Sequence, residues 1–146
     1  MDRKEFIKTC GFACLSTAAI TTFLQSCASS NYYAKHLKNK DSISINQSEF
    51  IRTDNGKNTE RKYVLIKTDH LSFPICVFKL SETEYSAVLM ECTHSHCELH
   101  NQGDFLVCPC HGSEFTNRGI VQNPPAEQNL KTFTITINNE NIFIQL

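Results

Sequence analysis

Cys92-Thr93-His94-Ser95-His96-Cys97 and Cys108-Pro109-Cys110-His111-Gly112-Ser113 are the two stretches that decide how the rest of the chain is read. Each follows directly on a short apolar run, residues 85–90 before the first and 105–107 before the second, so each reads as a loop at a strand end. Two such loops can converge on one point from opposite sides. Each offers one thiolate and one imidazole at short range, Cys92 with His94 and Cys108 with His111, and each leaves a cysteine over, Cys97 and Cys110. Of the eight cysteines and six histidines in the chain, eight residues fall between Cys92 and His111. That crowding makes a metal site or a disulfide framework the first hypothesis. Tetrahedral zinc accepts a Cys2His2 set. The usual zinc spacings, however, pair cysteine with cysteine and histidine with histidine, whereas here each thiolate has an imidazole beside it. Four ligands and one disulfide would account for six of these side chains, and a zinc or disulfide-stabilised binding module remains open at this point.

Outward from the boxes, helical periodicity is absent after residue 42, and short β-branched or aromatic runs recur between turn residues. Strands are expected at 42–46, 62–67, 74–80, 85–90, 105–107, 131–137 and 141–146. Phe133, Ile135 and Ile137 alternate with threonines, and Asn138-Asn139-Glu140 supplies a turn, so the last two strands read as a terminal hairpin. Residues 54–58 and 82–84 are expected loops. Cys76, inside Ile75-Cys76-Val77-Phe78, reads as a buried small hydrophobe. His36, His70 and His100 are not assigned to the site. The result is an all-β domain over 43–146. At 146 residues there is room for one such domain. The 14 Lys+Arg against 15 Asp+Glu give a net charge of -1, which speaks against nucleic acid or a strongly anionic surface as partner. With 40% hydrophobic and 20% charged residues, wholesale disorder and a polytopic membrane protein are both excluded.

The N-terminal residues have a different layout. Residues 1–8 are charged, 9–24 carry no charge, and Leu24-Gln25-Ser26-Cys27 follows at once, the pattern of an export signal over 1–26. The uncharged run is shorter than the roughly 20 residues of a spanning helix. Its end resembles a bacterial lipobox, which implies lipidation at Cys27, while Cys10 and Cys14 would leave with the signal. Arg3-Lys4-Glu5-Phe6-Ile7-Lys8 resembles a twin-arginine export motif with lysine for its second arginine. Residues 27–42 are polar and lysine-rich and read as a flexible tether, which would reach roughly 20 Å on average. Together these features imply a lipoprotein of the bacterial periplasm or cell envelope, membrane-associated through an N-terminal lipid or anchor.

The boxes themselves resemble those of the Rieske iron-sulfur family. In a Rieske centre two histidines replace two cysteines on one iron of a 2Fe-2S cluster, which raises its potential. The resemblance runs over about 62–146 and implies a Rieske-like antiparallel β-sandwich with a small cluster-binding subdomain. It implies one 2Fe-2S cluster, with Cys92 and Cys108 on the inner iron and His94 and His111 on the outer, and a disulfide between Cys97 and Cys110. Such a disulfide belongs to oxidising compartments. Asn117-Arg118-Gly119 resembles the turn after the second box, and Asn123-Pro124-Pro125-Ala126 the proline loop that covers the cluster, with Pro124 and Pro125 at its tip. Ser113 matches the family's serine, whose hydroxyl donates to a cluster sulfide. Phe115 stands where high-potential members have a tyrosine, which implies an intermediate value within the roughly -150 to +300 mV Rieske range. His96 stands where glycine is common, a position that favours positive φ.

The function so implied is that of a single-electron carrier of the bacterial envelope, working between a quinol or redox enzyme and an acceptor. Its partner would be a cytochrome or oxidoreductase subunit, and no independent substrate chemistry is expected. The alternative is the Rieske subunit of a cytochrome bc-type quinol oxidoreductase or of an arsenite-oxidase-like enzyme.

Overall fold

The computed structural model describes residues 31–146. The expected export signal, with Cys10 and Cys14, and the expected lipidation site Cys27 lie outside the described residues. In chain order the strands are β1 (His36–Lys38), β2 (Ser42–Asn46), β3 (Ile51–Asp54), β4 (Lys57–Glu60), β5 (Tyr63–Ile66), β6 (Ile75–Lys79), β7 (Tyr85–Leu89), β8 (His100–Asn101), β9 (Phe105–Val107), β10 (Glu114–Thr116), β11 (Val121–Asn123), β12 (Thr132–Phe133), β13 (Ile135–Ile137) and β14 (Asn141–Gln145). A 3₁₀ turn, Gln47–Phe50, is capped by the Asn46 side chain, which accepts from Ser48 N–H.

Three antiparallel sheets, in the orders β1-β2-β14-β13, β12-β7-β6-β5 and β11-β10-β9-β8, account for all but the β3-β4 hairpin. The central one explains the sequence. In β6 the four residues Ile75, Cys76, Val77 and Phe78 are all buried, and they divide by the two-residue period of a strand. Ile75 and Val77, with Val64, Ile66, Ala87 and Leu89, pack against Ile43, Ile45, Ile142 and Ile144 of the first sheet. Cys76 and Phe78, with Leu65 and Val88, pack against Leu99, Leu106, Cys108 and Phe115 on the other side. An unbroken apolar run is what a strand covered on both faces requires. Each fully buried aliphatic or aromatic side chain here contributes about 1.5–3 kcal/mol. That outweighs the exposed ion pairs, such as Arg52 with Asp54, at about 0–1 kcal/mol each. The fold is thus the expected β-sandwich, and the third sheet is the small subdomain that carries the boxes.

The structure refines several expectations. The terminal hairpin is present, with Ile135, Thr136 and Ile137 opposite Ile144, Phe143 and Ile142. The single strand expected at 131–137 is two, β12 in the central sheet and β13 in the first, because the chain changes sheet at Thr134. Residues 54–58 are the tip of a hairpin, with Asn55 and Gly56 both at positive φ, the pattern of a two-residue turn. The later part of the expected tether is strand: β1 pairs with β2, Tyr33 bridges Leu65, and Ala34 is buried. Arg61 lies 3.8 Å above the Tyr32 ring, and the Tyr32 hydroxyl donates to Glu49 at 2.8 Å. A polar, lysine-rich composition suits an edge strand as well as a linker, and a few aromatic anchors decide between them.

Gly119 joins the subdomain to the central sheet. It has φ +77, and a Cβ there would lie 3.1 Å from Val88 Cγ1 and 3.2 Å from Leu130 Cβ. Gly119→Ala is therefore expected to destabilise the domain by about 2–5 kcal/mol, combining left-handed strain with overpacking, as measured by urea unfolding of the purified domain.

Candidate metal centre

The two boxes fold into the same turn. In the first, Cys92 N–H donates to Cys97 O and His96 N–H donates to Cys92 O, both at 2.9 Å. In the second, Cys108 N–H donates to Ser113 O at 2.8 Å and Gly112 N–H to Cys108 O at 2.9 Å. In each box the fifth residue is left-handed, His96 at φ 54 and Gly112 at φ 78. The first cysteine of each box ends a strand-borne apolar run, and both cysteines are fully buried in the cluster with Leu99, Leu106 and Phe115. His94 and His111 are exposed, and their rings meet edge to face with centroids 5.2 Å apart. Cys97 and Cys110 are joined in a disulfide that ties one turn to the other.

The donor set suits a metal-sulfur group. Cys92 and Cys108 are free thiols within hydrogen-bonding reach of each other. Burial alone would raise the Cys108 thiol, but hydrogen bonds from Cys92, from the N–H groups of Cys110 and His111 and from Ser95 outweigh it, and its pKa falls below the ordinary thiol value. Ser95 Oγ lies 3.7 Å from Cys108 Sγ and 3.5 Å from Cys97 Sγ. The sulfurs of Cys97, Cys108 and Cys110 also lie within 4.8 Å of one another. Two of these are spent in the disulfide, so of the three only Cys108 can supply a thiolate. The Ser113 hydroxyl is fully buried and accepts from Ala126 N–H at 3.0 Å, and its own hydrogen has no acceptor among the described residues. A buried hydroxyl with an unspent hydrogen fits a sulfur acceptor in the space the boxes enclose.

Around this core, Pro124 and Pro125 are exposed and Phe115 is fully buried among the cysteines. The sequence brought forward all of these residues but not what braces them. Thr93 Oγ1 donates to Gln128 O at 2.6 Å, fastening the first box to the segment after the proline loop. His96 Nδ1 lies 2.8 Å from Glu91 Oε1, an exposed pair that pins the left-handed residue to the strand end. Polar side chains within a ligand loop were the available signal for Thr93 and Ser95, whereas Glu91 had none. Cys76 is buried as expected; Asn101 donates to its sulfur at 3.3 Å, and burial pushes its pKa up.

Comparison with known proteins agrees with this geometry. Residues 47–134, more than half of the chain, match the model of the Rieske [2Fe-2S] domain family. The cytochrome b6-f complex iron-sulfur subunit of Prochlorococcus marinus (strain MIT 9303) is 40% identical over 55 residues, which cover 36% of this chain and 31% of that protein. The ubiquinol-cytochrome c reductase iron-sulfur subunit of Blastochloris viridis is 42% identical over 55 residues, with the same coverage. The chain thus matches under a third of the length of these relatives. Among solved structures, the cyanobacterial plasma membrane Rieske protein PetC3 from Synechocystis PCC 6803 aligns with a TM-score of 0.52 at 30% identity, covering 58% of this chain and 87% of that one.

The disulfide closes a loop across both turns. Replacing Cys97 and Cys110 together by serine is expected to cost about 3 kcal/mol, the constraint lost from a loop of this length. Thermal unfolding of the double variant against the parent would measure it.

Proposed function

The chain belongs to the Rieske [2Fe-2S] domain family, and on that premise we propose that Cys92, His94, Cys108 and His111 hold its 2Fe-2S cluster, cysteines on the inner side and histidines on the outer. As a member of this family it is an iron-sulfur electron-transfer protein. The observation that carries the ligand assignment is the pairing of two equivalent turns, tied by the Cys97–Cys110 disulfide, whose buried cysteines share one core cluster and whose exposed histidine rings meet edge to face. When bound, the cluster takes up and releases one electron. The protein supplies the surroundings. The buried cysteines and the proline loop exclude water from the inner side, and His94 and His111 form the edge that a partner can approach. Pro109, Cys110, Gly112, Pro124 and Pro125 are exposed and carry no charge, which suits close docking of a partner on the side of the second box. No open coordination position or catalytic side chain is needed for this role.

The proposed setting is the bacterial envelope, with the domain carrying electrons from a quinol or redox enzyme to a cytochrome-like acceptor. The disulfide supports an oxidising compartment, as do relatives named for cytochrome complexes and a plasma membrane. Those names also favour a second reading, in which the chain is itself the Rieske subunit of a bc-type complex. Pull-down of the native protein from membranes would separate the readings: recovery with a cytochrome b supports the second, recovery without one supports the first.

A Rieske-type EPR signal in the purified, iron- and sulfide-loaded protein is the direct test of the centre. His94→Ala is expected to abolish it, whereas His96→Ala should keep it, since His96 is paired outward with Glu91; the reverse result refutes the ligand set. Phe115→Tyr adds a hydroxyl beside the cysteines and should raise the potential in a redox titration, because each donor to the sulfurs stabilises the added electron.

A further inference from the structure

Beyond the pairing of Asn123 with Glu114 in the β10–β11 ladder, the proline loop reaches the second box through a hydrogen bond to Ser113. Asn123, Pro124 and Pro125 are exposed, while the next residue, Ala126, is buried and its N–H donates to Ser113 Oγ at 3.0 Å. Pro124 and Pro125 have no N–H to give, so Ala126 carries the first backbone donor after Asn123. The Ser113 hydroxyl can accept two hydrogen bonds and donate one. With Ala126 on a lone pair, its hydrogen cannot be aimed at that N–H, and no described residue receives it. Ser113 also closes the turn that begins at Cys108, whose N–H donates to Ser113 O at 2.8 Å, so the hydroxyl sits at the base of the second box.

We propose that the Ala126 N–H is a positioning donor that sets the Ser113 hydroxyl toward the cluster, coupling the exposed proline loop to the redox potential through this one bond. The inference rests on the cluster reading above. A hydroxyl that accepts a hydrogen bond becomes a stronger donor, because successive hydrogen bonds polarise one another. The chain from Ala126 N–H through Ser113 O–H therefore stabilises the reduced state more than the serine alone. A partner that presses on Pro124 and Pro125 moves Ala126, and the potential of the docked protein then differs from that of the free one.

The test replaces Ala126 by lactic acid through nonsense suppression, which exchanges the N–H for an ester oxygen and leaves the side chain in place. It is carried out on the loaded full chain, with the potential read by voltammetry. The ester should lower the equilibrium constant for reduction by about threefold to tenfold, or about 30–59 mV at 59 mV per tenfold. In a Ser113→Ala background the ester should change the constant by less than about twofold, and Ser113→Thr, which restores a hydroxyl, should restore the sensitivity. The ester also weakens the Pro125 carbonyl, but it does so in every background, so the double-mutant cycle removes that effect. An equal shift with and without the hydroxyl, or no shift at all in a loaded protein, overturns the coupling alone. A parent protein that shows no iron-sulfur absorption overturns the cluster reading and the coupling with it.

Discussion

Closure of the two box turns is the constraint on which the rest depends. A cysteine whose N–H bonds to a carbonyl five residues on, with a left-handed fifth residue between, throws its side chain inward and the intervening residues outward. Done twice on facing loops, this sends two thiols into the core and two imidazoles into solvent. The disulfide then fixes the distance between turns that belong to different hairpins. Without the closure the same residues would still be present in sequence order, but the two turns would not meet at the disulfide and at the paired imidazoles.

The turns need a rigid floor, and the central sheet provides it. Its lower face, with Leu65, Cys76, Phe78 and Val88, meets Cys92, Leu99, Leu106, Cys108 and Phe115 in one apolar cluster. The metal-binding end of the molecule is therefore part of a core. Its upper face is covered by the first sheet, so the floor is held from behind by Ile43, Ile45, Ile142 and Ile144. Proteins that place polar or metal chemistry against an apolar wall need that wall to resist water, and a sheet buried on both faces does so.

Much of this was legible in the residues. Ile75-Cys76-Val77-Phe78 announced a strand covered on both sides, and the alternation after Phe133 a terminal hairpin. The spacing within each box pointed to a metal site or a disulfide framework, and the family resemblance rather than the spacing supplied the ligand set. What escaped the sequence has physical reasons. β8, β10 and β11 have two or three residues each, too few for periodicity to register; β8 and β10 follow the boxes, and β11 is returned onto β10 by the turn at Gly119. The strand β1 hides in a lysine-rich stretch because one edge of it faces solvent, and its attachment depends on Tyr32, Arg61 and Glu49, which are distant in sequence. Glu91 gave no sign of its role, since its partner His96 lies across a turn whose shape no composition reveals.

His96 also shows how the turn tolerates a change of residue. The equivalent position in the second box is Gly112, which takes positive φ at no steric cost. Histidine in that conformation costs about 1–2 kcal/mol, and the exposed pair with Glu91 returns about 0–1 kcal/mol. The remainder is small against two core clusters and a disulfide, so the site can carry an imidazole there. The backbone donors to Cys108, the N–H groups of Cys110 and His111, come with the turn whatever side chains it bears. The side-chain partners do not: Ser95 is present at Cys108, the Ser113 hydroxyl is buried at the end of the same turn, and Phe115 has no donor to offer. A potential set in this way has a fixed part, determined by the fold, and an adjustable part confined to the few residues whose hydroxyls can reach sulfur.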